Sequence, residues 1–195
     1  MSKFVYAIEG LDRLGKSTLV EGIQRELGFF QVIHFGKPQR LEKYKYSIMP
    51  DDIAHDRDNC YPELFHYQQA CFRNSMKLSQ SGARIIFDRW HLGEAVYAPL
   101  YRKYDGNYVF DLEKRFGIDE TSMVRLILLT EDFASSQHFV SDGDSFDDTK
   151  REAEQDRFIA AFNKSIIRDK RIICVTDPTT GQFRDAADIL KEALA

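Results

Sequence analysis

The chain has 195 residues, 43% hydrophobic and 13% aromatic, enough to build the core of one compact domain. A net charge of −4 gives no overall footprint for nucleic acid, and the five histidines show no HExxH or paired-ligand spacing that would point to a protein-bound zinc. Apolar runs such as 84–87 and 124–129 fall far short of the roughly 20 residues that cross a bilayer. The three cysteines, Cys60, Cys71 and Cys174, form neither a CxxC pair nor an even set, and the N-terminal residues enter a strand pattern with no export signal, so a reduced, cytoplasmic protein is expected.

In chain order, the apolar, β-branched run 3–8 predicts a strand ending at Glu9-Gly10. Leu19, Val20, Ile23 and Leu27 then recur at helical spacing over 16–27. A second strand is expected at 30–35, followed by a polar stretch over 36–59 whose length marks a functional loop. A long helix is expected over 61–81, stopped by Gly82, before a buried strand at 84–87. Beyond it come a helix from about His91, an aromatic-rich segment to Gly117, and a strand at 123–130. An acidic, glycine-containing stretch at 135–148 precedes a helix over 149–168, a strand at 171–175 and a last helix ending at Leu194. Strands alternating with helices imply a single α/β domain over 1–195: a three-layer sandwich with a five-stranded parallel sheet and helices on both faces.

Gly10-Leu11-Asp12-Arg13-Leu14-Gly15-Lys16-Ser17 matches GxxxxGK[ST] in full and sits between a predicted strand and a predicted helix. In such a P-loop the glycines let backbone N–H groups converge on phosphate oxygens, and the helix adds its positive N-terminus. Lys16 then neutralises the outer phosphates and Ser17, followed by Thr18, can ligate Mg²⁺, so ATP and Mg²⁺ are the expected cofactors. The strand over 84–87 runs into Asp88-Arg89, at the sheet edge where open α/β folds bind ligands. Asp88 suits Mg²⁺ held through water, and Arg89 suits a phosphate clamp.

Glu9 to Thr18 reads EGLDRLGKST and resembles the opening of thymidylate kinases, EGxDRxGKST in their eukaryotic-like subgroup. Ser81 to Trp90 is similar to that family's QGxxxxxDRY segment, and Asp142-Gly143-Asp144-Ser145-Phe146-Asp147 resembles its lid segment, DRFE. The resemblance implies that Asp12 meets the acceptor's 3′-hydroxyl, Arg13 touches the transferring phosphate, Arg89 holds the acceptor phosphate and Tyr97 lies against the sugar. Residues 135–148 contain no arginine or lysine, so the resemblance implies that Arg13 supplies the transition-state charge and that holding the donor nucleotide, a task of lid arginines in relatives, falls to Arg151 or Arg157. The family's FPxR becomes Phe35-Gly36-Lys37-Pro38-Gln39-Arg40, leaving either Lys37 or Arg40 for the acceptor phosphate. Gln68 falls where deoxynucleoside kinases, which the chain also resembles there, read the base with an amide.

His91 and Glu94 lie outside the thymidylate-kinase wording; His91 reads as a helix N-terminal residue or as a substrate contact. Tyr101-Arg102-Lys103-Tyr104 reads as a solvated helix end, with a nucleic-acid contact as the other reading. The leading expectation is Mg²⁺-dependent phosphoryl transfer from ATP to a deoxynucleoside monophosphate. A kinase acting on a hydroxyl of a deoxynucleoside or of nucleic acid, with Asp88 as base, stays open, as does a homodimer. A nucleotide-binding switch is a third reading, although Asn163-Lys164-Ser165 lacks the aspartate of NKxD.

Overall fold

The computed structural model describes residues 5–35, 53–118, 123–134 and 148–195. Its five strands are β1 (Val5–Gly10), β2 (Gln31–His34), β3 (Ile85–Asp88), β4 (Val124–Thr130) and β5 (Asp169–Cys174). All pair in parallel, in the order β2-β3-β1-β4-β5. The central strands β1, β3 and β4 are buried at every position, as parallel strands with both faces covered must be. The helices are α1 (Lys16–Leu27), α2 (Ile53–Gln80), α3 (His91–Tyr97), α4 (Tyr108–Arg115), α5 (Arg151–Lys164) and α6 (Ala186–Leu194).

Helix α1 buries Leu19, Val20 and Ile23, and Gly22 lets Leu190 of α6 pack closely on it. On the other face α2 to α5 form one layer, joined by Phe72 against Trp90, Phe65 against Tyr108 and Tyr97 against Phe158. No helix among the described residues is long and apolar enough to cross a membrane.

Several element boundaries differ from the sequence reading, β5 beginning at Asp169 instead of 171 among them. Helix α2 begins at Ile53, eight residues before the expected start, because polar composition over 53–59 does not separate a polar helical turn from a loop. Helix α5 ends at Lys164 instead of reaching 168, since the Ser165 hydroxyl and the Ile166 N–H both turn away to donate to Glu113. Of the loop expected over 36–59, residues 36–52 lie outside the described residues and 53–59 belong to α2 instead.

Candidate functional site

The carboxyl ends of β1 and β3 lie side by side, with Ile8 opposite Asp88, so the glycine loop and Asp88-Arg89 share one edge of the sheet. Gly10 is required there twice over. Its φ is 132°, and a Cβ at this position would press into the Leu129 carbonyl of β4. Gly15 closes the loop at φ 77° as the N-cap of α1, with open space where a side chain would stand. Leu11 and Leu14 anchor the loop in the core, while Ser17 and Thr18 are exposed on the first turn of α1.

Lys16 is buried, and its Nζ donates to the Gly10 carbonyl at 3.2 Å and to the Leu11 carbonyl. Burial lowers its pKa to about 8 against the opposing pull of Asp88 and Glu9, with Arg151 adding to the decrease. The Glu9 carboxylate is fully buried beneath the loop. Its Oε1 accepts from the backbone N–H groups of Trp90 (3.0 Å) and Leu92 (2.9 Å), so a residue of β1 caps the start of α3. Burial raises its pKa despite nearby His91 and these two N–H bonds.

Arg13 and Arg89 both adopt left-handed backbone, at φ 66° and 65°. Such strain in a non-glycine residue collects where the surroundings over-determine it, often at functional sites. The Arg89 N–H is fixed to the Ile8 carbonyl at 2.8 Å, and its guanidinium pairs with the Asp12 carboxylate, which ties the end of β3 to the phosphate loop. Tyr97 lies within reach of Arg89; burial pushes its phenol up to about 12, with Arg89 opposing. The same ring packs edge-on against Phe158, so Tyr97 is part of the core packing between α3 and α5.

Asp88 is buried, and its two oxygens differ in their surroundings. Oδ2 takes His34 Nδ1 at 2.9 Å, whereas Oδ1 is buried with no hydrogen-bond partner among the described residues. An unpartnered oxygen of a carboxylate that interacts with Lys16, at the sheet edge shared with the loop that carries Ser17, offers oxygen ligands of the kind that suit a hydrated Mg²⁺. Gln68 also carries a buried carbonyl oxygen without a partner, on the α2 face between Phe65 and Phe72. Lys37, Arg40 and residues 135–147 of the expected lid lie outside the described residues.

Two members of the site escaped the motif reading. His34 is found only once β2 is known to pair in parallel with β3, because the register sets His34 opposite Asp88. Arg151, named above only as a residue that might replace lid cations, is docked on the loop. Its Nη2 donates to the Asp12 carbonyl at 3.2 Å, and its Nε to Glu131 Oε1 at 3.1 Å. Glu131 is held in turn by Gln155, whose amide bonds its backbone N–H and its carbonyl, each at 2.8 Å. Arg157 is exposed.

His91 points into the core instead. Its Nε2 donates to Glu113 at 2.5 Å, with both side chains fully buried. The reading of 101–104 as a solvated end is corrected: Arg102 and Tyr104 both bond the buried Glu94, and of the basic pair only Lys103 is exposed. Tyr108 adds a third bond to Glu94 at 3.1 Å, enough to draw this turn inward.

No family model and no curated protein matches this sequence. Solved structures do match. YorR from Bacillus subtilis, described in complex with phosphorylated GDP, is 16% identical with a TM-score of 0.57, covering 96% of this chain and 91% of that one. Thymidylate kinase from Candida albicans is 17% identical with a TM-score of 0.51, covering 97% of this chain and 88% of that one. At such identities the likeness is one of fold, the parallel α/β fold that this chain shares with both structures.

Proposed function

We propose that this chain is a nucleotide kinase that transfers the γ-phosphoryl group of ATP to a deoxynucleoside monophosphate. The observation that carries the reading is the pair of strained arginines, Arg13 within the phosphate loop and Arg89 bridged to it through Asp12. Phosphoryl transfer asks for positioned positive charge more than for covalent chemistry, and this arrangement supplies it from both sides of the reacting phosphate. Lys16 and Arg13 face the donor. Arg89, together with Lys37 or Arg40, holds the acceptor phosphate. Gln68 presents its carbonyl to the acceptor base, and Tyr97 stands against the sugar.

Ser17 and Asp88 would hold Mg²⁺, which when bound draws negative charge off the transferring group. Arg151 supports the reading despite a cation-free 135–148, since its guanidinium, fixed on the Asp12 carbonyl, would bring positive charge to the loop without coming from that segment. The hydroxyl-kinase alternative is favoured by one observation, the unpartnered Oδ1 of Asp88, which could take a proton.

The deciding experiment offers deoxynucleosides, their monophosphates and oligonucleotides to the purified protein with ATP and Mg²⁺, and measures phosphorylated product. Transfer to at least one monophosphate is expected. Ready phosphorylation of nucleosides or nucleic acid with every monophosphate untouched would overturn the proposal.

A further inference from the structure

His34 forms the last link of an edge strand that buries little: Gln31, Val32 and His34 itself are all exposed. An ion pair whose histidine is 62% exposed stabilises a fold weakly, so stability gives little reason for His34 to meet Asp88. The contact is nevertheless closely constrained. The parallel register sets the two residues opposite each other, and the Phe35 N–H bonds the Asp88 carbonyl at 3.0 Å. On the other side of Asp88, the Arg89 N–H is fixed to Ile8. The backbone is held from both neighbouring strands, and the remaining freedom is rotation of the carboxylate.

We propose that His34 is a positioning residue that settles this rotation. An ionised carboxylate only accepts, so the proton of the contact resides on His34 Nδ1, and its donation holds Oδ2 toward β2. Oδ1 is thereby left for the hydrated metal that a bound nucleotide would bring. Without His34 the carboxylate could turn toward Lys16, which interacts with it electrostatically and already bonds the Gly10 and Leu11 carbonyls. The inference rests on the kinase reading and adds to it a residue of β2 that the phosphate-loop motif does not contain.

The test compares His34→Ala, His34→Asn and His34→Gln with the unaltered protein. Free Mn²⁺ is followed by electron paramagnetic resonance in the presence of a non-hydrolysable ATP analogue, and analogue binding without metal is measured alongside. Orienting partners of metal ligands are worth about 10- to 100-fold in metal affinity. His34→Ala should therefore weaken Mn²⁺ binding about tenfold or more and leave metal-free analogue binding unchanged. Asn carries an N–H near the position of Nδ1 and should restore most of the loss; Gln reaches the position of Nε2 and should not. Unchanged Mn²⁺ affinity in His34→Ala, or equal rescue by Gln and Asn, overturns the positioning role while the kinase reading stands. Should His34→Ala fail to fold, the Asn and Gln proteins still decide the matter. Failure of the unaltered protein to bind the analogue with Mn²⁺ overturns both.

Discussion

Lys16 is the side chain on which the site depends most. It is held at the phosphate loop by two backbone carbonyls. Lys16→Ala should lower turnover by about 10²-fold or more, as the loss of a charge-stabilising donor does elsewhere, with a melting temperature close to that of the parent. Arg13 and Arg89 should separate kinetically. Arg13→Ala is expected to lower kcat with little change in KM for either substrate, the signature of an interaction made in the transition state. Arg89→Ala should also raise KM for a phosphorylated acceptor.

A residue that resembles a catalytic group, His91, should behave differently. Its partner Glu113 accepts from His91, from Ser165 Oγ at 2.6 Å and from the Ile166 N–H at 2.9 Å. Burial pushes the Glu113 carboxyl up, but these bonds prevail and hold it below its ordinary value. Breaking a buried pair from one side costs about 3–5 kcal/mol, so Glu113→Ala should lower the melting temperature by roughly 10 °C. Because the folded-state pKa is depressed, this contribution is complete above the ordinary carboxylate range and is lost as pH falls through the folded value. The gap in melting temperature between parent and variant should therefore narrow in acid.

Among the elements, α5 links the region after 135–147 to the phosphate loop through Arg151, Glu131 and Gln155. Arg151→Ala is expected to lower kcat/KM for ATP about tenfold, the share of a charged hydrogen bond, whereas Arg157→Ala, on an exposed position, should change nothing measurable. Steady-state kinetics with ATP varied distinguishes them.

Legibility in the sequence followed the same division. The phosphate loop could be read because its spacing is local and its strand and helix flank it directly. Asp88 and Arg89 could be read because a short apolar run ends at them. His34, Glu9 and Glu131 act through contacts across strand order or between strand and helix, and no local periodicity encodes strand order. The start of α2 is misplaced for a related reason: the polar composition of 53–59 suits a loop and a helical turn alike, and only the surrounding fold decides.

For the whole molecule, a ligand that binds only the folded chain raises its stability by mass action, by about 2.7 kcal/mol at one hundred times its dissociation constant. ATP with Mg²⁺ at that excess should raise the melting temperature by roughly 5–10 °C, and chelating the metal should remove much of the gain. A shift that ignores chelation would count against a nucleotide-bound metal.

The central strand has a consequence for how the chain is made. Val5 pairs with Ile85 on one side and with Val124 on the other, so the first strand synthesised waits for partners that arrive far later. Pairings this distant in sequence are slow to form, and the waiting strand is almost entirely apolar. The phosphate loop inherits the delay, because Gly10 takes its place against Leu129 only when β4 has docked. A nascent chain on the ribosome thus carries the whole GxxxxGKS motif well before it can grip a nucleotide. Ribosome-bound chains halted short of β4 should show no nucleotide-dependent protection from protease, and those halted well beyond β5 should acquire it.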